Sequence, residues 1–250
     1  MTGLLGAISF LTRLHVRRPP VVDPAIGVSI PWFPAVGAMI GMAVGGVYVG
    51  LRALDTPALV ASSFAVLGGI VLTGALHEDG LADTADALAA RDPESALAIM
   101  ADPAHGTYGV VSLIASVLTR VAALAAVSPL TGLFIAALAN MVGRGSAVGL
   151  MAASRRARGT GLGATYVDRT RRSLAIVGIT PALVLVIGAA RWAGLVAILA
   201  AVAITAASGA SAHRRFTGVT GDVIGAVEQL TEVSSFLILG TVAARSLERA

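Results

Sequence analysis

Ile30–Leu51 reads IPWFPAVGAMIGMAVGGVYVGL, a stretch of 22 residues without one charged side chain. An α-helix that crosses the hydrocarbon core of a bilayer needs about 20 mostly apolar residues, so this stretch predicts a transmembrane helix. The whole chain agrees, because 56% of its 250 residues are hydrophobic and only 13% are charged. A soluble domain has about 25% charged residues. The composition therefore predicts an integral membrane protein and excludes a water-soluble enzyme, a disordered tail and a coiled coil.

Six further stretches have the length and hydropathy of a membrane span. The predicted fold class is therefore all-α, a polytopic membrane bundle of about seven transmembrane helices in a single domain, residues 1–250. Met1–Val16 has apolar residues at helical spacing but is too short to span, so we expect an interfacial helix that ends at Arg17, Arg18 and the Pro19-Pro20 pair. The six stretches are Pro57–Leu76, Tyr108–Val127, Leu130–Ala153, Leu174–Ala190, Ala193–Ser208 and Val223–Ala244.

The charged residues predict an orientation. All 18 basic residues are arginine, and the sequence pI is near 10.6. With a cytoplasmic N-terminus, twelve arginines fall in inside segments and four in outside segments, which is the bias of the positive-inside rule. We therefore attribute the basic charge to membrane orientation and not to nucleic-acid binding. An alanine-rich chain without lysine is typical of a GC-rich bacterial genome, so we expect a multi-pass protein of the bacterial cytoplasmic (inner) membrane.

An acidic motif follows the second predicted span and reads His77-Glu78-Asp79-Gly80-Leu81-Ala82-Asp83-Thr84-Ala85-Asp86. Asp79, Asp83 and Asp86 stand at i, i+4 and i+7, so on a helix they fall within an arc of roughly 60°. His77 projects to the opposite side. Three repelling carboxylates without a histidine or cysteine beside them favour a hard cation, Mg²⁺ or Mn²⁺. The alternative is a solvated acidic loop, but alanine and leucine on the other face favour a helix whose acids line a cavity.

Two other features are open to more than one interpretation. Gly106-Thr107-Tyr108-Gly109 suits a close backbone approach to a phosphate, or equally a tight start of the third span. Arg144 lies within the fourth span, where a central charge costs roughly 2.5–3.5 kcal/mol. We expect it to pair with a carboxylate or a substrate phosphate, or to extend toward the interface. Arg120 is nearer the middle of its span and can be structural or functional.

The last predicted cytoplasmic loop runs from Arg214 to Asp222 and contains two arginines and two glycines, and a third glycine, Gly225, follows in the next helix. Arg214 and Arg215, with Gly221 and Asp222 at the start of the seventh span, form a pattern that can bind phosphate and metal together. Glu228 and Glu232 then enter that span, and intramembrane acids indicate function by default. The alternative is a favourable interaction of Asp222 and Glu228 with the N-terminus of their own helix.

Taken together, these motifs resemble the cobalamin (5′-phosphate) synthase family, also called adenosylcobinamide-GDP ribazoletransferase, over most of the chain. The resemblance depends above all on the aspartate motif, which is specific by itself. The ordered set of motifs is more specific still. It comprises Asp79-Gly80-Leu81-Ala82-Asp83-Thr84 with Asp86, Met100, Asp102, Gly106-Thr107-Tyr108-Gly109, Arg144-Gly145, Gly161-Leu162-Gly163, Thr220-Gly221-Asp222, Gly225-Ala226 and Glu232.

The resemblance implies an Mg²⁺-dependent membrane transferase in the last steps of vitamin B12 assembly. Its substrates are adenosylcobinamide-GDP and α-ribazole or α-ribazole 5′-phosphate. A ribose hydroxyl attacks the cobinamide-side phosphate, GMP leaves, and adenosylcobalamin or its 5′-phosphate results. Such phosphoryl transfer needs charge neutralisation and in-line positioning.

The resemblance also assigns expected roles to residues of this chain. The base that takes the hydroxyl proton is expected to be Asp83, Asp86 or Asp222. Metal ligands that hold the diphosphate and stabilise the leaving GMP are expected at Asp79, Asp83, Asp86 and Glu232. Phosphate oxygens are expected to contact Arg144, Arg214, Arg215, Gly106, Thr107 and Gly221.

Other classes fit the sequence less well. A CDP-alcohol phosphotransferase shares a motif that begins Asp-Gly, but expects Ala-Arg soon after, where this chain has Asp83-Thr84-Ala85-Asp86. A polyprenyl transferase needs a second aspartate-rich motif, for which Gly221-Asp222 is too short. A transporter predicts inverted halves and broken helices at mid-membrane, and the sequence shows no internal repeat. A homo-oligomer, or association with other proteins of the cobalamin pathway, stays open.

Overall fold

The computed structural model describes residues 2–14, 24–157 and 162–247. Arg17, Arg18, Pro19, Pro20 and Gly161, which enter the predictions above, lie outside the described residues. A 3₁₀ turn, Ile30–Trp32, separates the second and third helices. The helices are α1 (Thr2–Leu11), α2 (Pro24–Ser29), α3 (Phe33–Ala53), α4 (Ala58–Thr73), α5 (Leu76–Ala87), α6 (Pro93–Met100), α7 (Thr107–Ala125), α8 (Pro129–Ala153), α9 (Leu162–Arg169), α10 (Arg172–Arg215) and α11 (Gly221–Leu247).

Five of the described helices are long and apolar enough to cross a membrane: α3 with the turn before it, α7, α8, α10 and α11. α4 has 16 residues and passes the same test only together with α5, from which it is bent by 90°. α5 carries Glu78, Asp79, Asp83 and Asp86 within 12 residues, a composition that the hydrocarbon core disfavours. We therefore take α4 as the membrane segment of this bent pair.

α10 consists of two arms that meet at Arg191, where the backbone is non-helical (φ 53°, ψ −128°). The arms lie side by side, because Ile179 on the first and His213 on the second line the same cavity. A straight helix would separate those two residues by about 50 Å. The predicted spans Leu174–Ala190 and Ala193–Ser208 are therefore the two arms of a hairpin. With both arms and α4 counted, seven helical segments of the described residues coincide with the seven predicted spans, and five helices meet the length and hydropathy requirement by themselves.

One end of the bundle, here called the polar end, collects α5, α6, α9 and the loop before α11. Arg215 Nη1 donates a hydrogen bond to the carbonyl of Leu88 at the end of α5, at 3.2 Å. Arg156, after α8, forms a β-bridge with Val219, before α11. A Cβ on Gly80 of α5 would lie 2.7 Å from the backbone oxygen of Asp222. These contacts bring the segments that were predicted to be cytoplasmic to one side of the bundle.

The N-terminal helix α1 also packs at this end of the protein. It ends at Leu11, earlier than the predicted Val16. Phe10 stacks on Phe33 of α3, with ring centroids 5.7 Å apart, and contacts Tyr166 of α9 at 4.2 Å. Because Ala7 and Leu11 are fully buried, one face of α1 belongs to the protein core.

Three glycines on one face of α3 determine how closely α3 and α8 approach. A Cβ on Gly37 would overlap with the carbonyl oxygen of Asn140, on Gly41 with that of Ala136, and on Gly45 with the Cα of Leu133. Small residues at this four-residue spacing allow the backbones of transmembrane helices to touch.

We predict that Gly41→Ala lowers the free energy of unfolding by about 1–3 kcal/mol, the usual cost of overpacking. The added methyl group meets backbone atoms of α8, which cannot rotate away. Gly46→Ala on the same helix is the matched control, because a Cβ there has no neighbour within 4 Å. Equilibrium unfolding in mixed micelles measures both variants, and equal stabilities would contradict the packing described.

Candidate active site

The acidic helix α5 begins immediately after a sharp turn. Gly74 (φ 67°) and Ala75 (φ 57°) both adopt left-handed backbone conformations, which ends α4 and turns the chain by 90°. α5 then presents two different faces. Asp79 and Asp83 lie on an outer face toward the polar end, while His77 and Glu78 are buried on an inner face.

The outer face of α5 brings together a carboxylate cluster, defined here as Asp79, Asp83 and Asp222. Asp79 is exposed, with 64% of its side chain accessible, and Asp83 is nearly buried at 12%. Asp222 belongs to the first turn of α11, and its charge acts on both other members. His105, in the loop before α7, lies between α5 carboxylates: its Nδ1 is 3.3 Å from Asp83 Oδ1 and its Nε2 is 3.7 Å from Asp79 Oδ1.

The cluster carries more negative charge than its surroundings neutralise. Burial, and then repulsion by Asp79 and Asp222, raises the pKa of Asp83 to about 6, and His105 offsets only part of this rise. Among the described residues, no three Asp, Glu, His or Cys side chains stand close enough together to hold a metal ion as they are placed. The uncompensated charge nevertheless fits the donor chemistry of a hard divalent cation.

Asp86 lies on α5 beyond this cluster and serves a different purpose. Its two oxygens accept hydrogen bonds from the backbone N–H groups of Gly106 at 2.6 Å and Gly109 at 2.9 Å. A Cβ on Gly106 would lie 2.7 Å from the Asp86 carboxylate, and one on Gly109 closer still. The glycines around Thr107 thus permit a tight start of α7, capped by a carboxylate of the chain itself. Of the two interpretations of this segment, the hydrogen bonds to Asp86 favour the tight start of the third span over a close approach to a phosphate.

The inner face of α5 belongs to a buried network of seven side chains on four helices. Arg144 Nη1 pairs with the carboxylates of Glu228 and Glu232. Arg120 Nη1 lies 3.2 Å from Glu78 Oε1 and 3.3 Å from Glu232 Oε1. Each charged side chain of this network is less than 10% exposed. The seven members are Glu78 of α5, Arg120 of α7, Asn140 and Arg144 of α8, and Glu228, Gln229 and Glu232 of α11.

Amide side chains complete this buried network. Asn140 Oδ1 accepts from Arg144 at 2.9 Å, and Gln229 Nε2 donates to Glu228 at 3.1 Å and to Glu78 at 3.3 Å. Three carboxyl groups face two guanidinium groups, so full neutralisation requires one further proton in or beside the network. Buried His77 has its Nδ1 3.5 Å from Glu228 Oε2, and its projection away from the aspartates is as predicted.

Two predicted site residues, Glu232 and Arg144, have their partners within the buried network. Glu232 pairs with Arg120 and Arg144, so it is not positioned as a metal ligand beside Asp79 and Asp83. Arg144 is 2% exposed and has carboxylate partners, which favours the carboxylate alternative over a substrate phosphate.

The remaining predicted residues lie at the polar end. Arg214, Thr107 and Gly221 are exposed near the starts and ends of helices that meet there. Arg215 is exposed as well and holds the end of α5 through the carbonyl of Leu88. Thr220 Oγ1 accepts from the N–H of Val223 at 3.2 Å, which caps α11 and orients the segment that carries Asp222.

Sequence reasoning missed His105, Glu78 and Gln229. His105 lies in a loop that has no periodic pattern. It lies beside α5 because the neighbouring Gly106 N–H donates a hydrogen bond to Asp86. Glu78 was grouped with the aspartates, although a shift of one residue on a helix turns a side chain by about 100°. The two intramembrane arginines were the available signal, since each needs a buried acidic partner.

The fold and the site define a polytopic all-helical membrane protein with a carboxylate cluster at one end of the bundle. The chain belongs to the cobalamin-5-phosphate synthase family, whose model matches residues 3–240. The comparison with solved structures found no match.

Several curated relatives align over almost their whole length. A protein from Pseudomonas aeruginosa is 36% identical over 245 residues, which cover 96% of this chain and 98% of the relative. Relatives from Ectopseudomonas mendocina (35% over 238 residues, 93% and 96% covered) and Rhizobium etli (34% over 248 residues, 94% and 95% covered) are similar. All three are named adenosylcobinamide-GDP ribazoletransferase.

We predict that Asp83→Asn stabilises the metal-free protein at pH 7.5 and has a smaller effect at pH 4.5. The folded-state pKa of Asp83, about 6, lies above the ordinary value of 3.8 for an aspartate, so its ionisation costs stability progressively as the pH rises through this interval. The asparagine removes that cost only where Asp83 is ionised. Thermal unfolding in EDTA at both pH values measures the difference. An equal or larger gain at pH 4.5 would refute the assigned repulsion.

We predict that Arg144→Gln destabilises the protein by about 3–5 kcal/mol, the range for removing one partner of a buried ion pair. The substitution leaves the carboxylates of Glu228 and Glu232 without their guanidinium. Adding Glu232→Gln is expected to recover part of the loss, so the double variant costs less than the sum of its parts. Arg91→Gln, at an exposed arginine, is the control. Additive losses in equilibrium unfolding would show that the two groups are not coupled.

Proposed function

We propose that this protein transfers the adenosylcobinamide-phosphate moiety of adenosylcobinamide-GDP to α-ribazole or α-ribazole 5′-phosphate and releases GMP. The observation that carries the proposal is the carboxylate cluster, Asp79, Asp83 and Asp222, at the polar end of a chain from this family. The relatives that bear the corresponding name align with the segments that build this cluster. The product is adenosylcobalamin or its 5′-phosphate.

The proposed reaction is a displacement at phosphorus. The ribose hydroxyl oxygen of the acceptor forms a bond to the cobinamide-side phosphorus, the bond from that phosphorus to the oxygen bridging to GMP breaks, and GMP departs with that oxygen. The hydroxyl proton passes to a carboxylate, for which Asp83 and Asp222 are the candidates. Both belong to the carboxylate cluster, where the acceptor hydroxyl would meet the diphosphate.

We further propose that Asp79, Asp83 and Asp222 hold Mg²⁺, which supplies charge neutralisation for the diphosphate and the leaving GMP. The support is the surplus negative charge of the cluster and the oxygen-rich donor set that Mg²⁺ prefers. Asp86 is assigned to positioning, because both of its oxygens hold the start of α7. Arg214, exposed at the polar end, is the proposed contact for phosphate oxygens.

The proposed orientation places the polar end in the cytoplasm of a bacterial cell, within the inner membrane. Among the described arginines, those at the polar end outnumber those at the opposite end, which are Arg52, Arg191 and Arg245. Such an excess is the usual signature of a cytoplasmic surface. Nucleotide-bearing substrates would therefore reach the cluster directly from the cytoplasm.

The proposal is tested by GMP release from the protein in lipid nanodiscs with adenosylcobinamide-GDP, α-ribazole 5′-phosphate and Mg²⁺. We expect release to require both the acceptor and the metal, to stop in EDTA, and to fall at least about 100-fold in Asp83→Asn, in keeping with the loss of a catalytic carboxylate. Asp55→Asn is the matched control, because Asp55 lies in the loop between α3 and α4 at the opposite end of the bundle.

Two outcomes would contradict the proposal. GMP release that is unchanged by omission of the acceptor would indicate hydrolysis instead of transfer. No release from folded wild-type protein, with CDP-alcohols turned over in its place, would assign the chain to a different membrane phosphotransferase activity.

A further inference from the structure

A long apolar groove, here called the lateral groove, separates α8 from the α10 hairpin. Its volume is about 490 Å³, within the range of small-molecule sites. The lining is almost entirely apolar and includes Gly145, Gly149, Ala182, Val186 and Ile198. None of these residues belongs to the carboxylate cluster or to the buried network, so the proposed reaction leaves the groove without a role.

The lateral groove is long and narrow. On α8 its lining extends from Met141 to Ser154, and on the second arm of α10 from Ile198 to His213, which corresponds to about 20 Å along each helix. About 20 Å exceeds half of the roughly 30 Å hydrocarbon thickness of a bilayer, so the groove extends through one leaflet and has the length of a single extended hydrocarbon chain.

The groove opens toward lipid along the outer side of the hairpin. Leu183 and Val202 line it, yet they are 37% and 60% exposed. In the most apolar 18-residue stretch of α10, only 17% of the residues are buried inside the protein. Within the hydrocarbon layer water is excluded from such a surface, so an acyl chain of the surrounding bilayer is the available occupant.

Among the lining residues of the groove, the basic side chain, His213, lies at one end. Ser154 and His213 line it where α8 and α10 reach the polar end. Arg155 follows Ser154 directly and is exposed. A basic residue at the membrane surface attracts anionic headgroups. We propose that the lateral groove binds one acyl chain of an anionic phospholipid, with the lipid phosphate at the level of Arg155.

The first test uses the wild-type protein in nanodiscs of phosphatidylglycerol and phosphatidylcholine. A trace of phosphatidylglycerol carries a photoactivatable diazirine in its acyl chain. We expect cross-links to concentrate on groove-lining peptides of α8 and both arms of α10, and excess unlabelled phosphatidylglycerol to remove them. Labelling spread evenly over lipid-facing residues such as Leu59 and Ile114, which are 63% and 53% exposed, would overturn the proposal.

A matched pair of variants sharpens this test. Gly149→Leu fills the groove, because a Cβ there meets only Ile179 Cδ1 at 3.8 Å. Gly188→Leu makes the same change at a lipid-facing position on α10 with no neighbour within 4 Å. We expect about tenfold less groove labelling in Gly149→Leu and none of this loss in Gly188→Leu, since each displaced methylene carries part of the binding free energy. Equal labelling of the two variants would overturn the proposal.

Headgroup recognition has a separate readout. We expect Arg155→Gln to abolish the preference of the groove for labelled phosphatidylglycerol over labelled phosphatidylcholine and to leave acyl-chain labelling in place. If Gly149→Leu instead abolished chemical cross-linking between two copies of the chain, the groove would be a protein interface and the lipid proposal would be wrong. Should Gly149→Leu fail to fold, the competition experiment on wild-type protein decides alone.

Discussion

The pairing of Arg144 with Glu228 and Glu232 is the constraint on which the rest of the bundle depends. A guanidinium without a partner inside an apolar bundle is costly, so α8 and α11 can meet only in the register that brings these three groups together. Gly143 makes the approach possible, because a Cβ there would lie 3.2 Å from Glu232 Cβ and nearer still to Glu228. Glu78 and Arg120 extend the same requirement to α5 and α7.

The buried network and the carboxylate cluster are linked by their common helix. Glu78 and Asp79 are neighbours in sequence but project about 100° apart on α5, so the ion pair that holds Glu78 also determines where Asp79 and Asp83 stand. The close approach of Gly80 to the Asp222 backbone completes the cluster from α11. Helix α5 thus connects the buried ion pairs with the surplus negative charge of the carboxylate cluster, where a substrate or cation can bind.

Periodicity and hydropathy were sufficient to predict the seven spans, the helix over the aspartate motif and the orientation of His77. They could not predict the partners of charged residues, because pairing depends on helix register. Arg144 was assigned both a carboxylate and a phosphate as possible partners, and only the packing of α8 on α11 decides between them. Asp86 shares the spacing of Asp79 and Asp83 but caps α7, and the loop that brings His105 beside α5 has no periodic signal.

The arrangement of ion pairs also bears on how the protein is made. Glu78, Arg120 and Arg144 leave the ribosome before Glu228 and Glu232, which belong to α11. Until α11 arrives, Arg144 lacks both carboxylates that it pairs with, and Arg120 has only Glu78. Insertion of the earlier helices is therefore separate from their final assembly, and a chain that stalls before α11 would display unpaired charge within the bilayer.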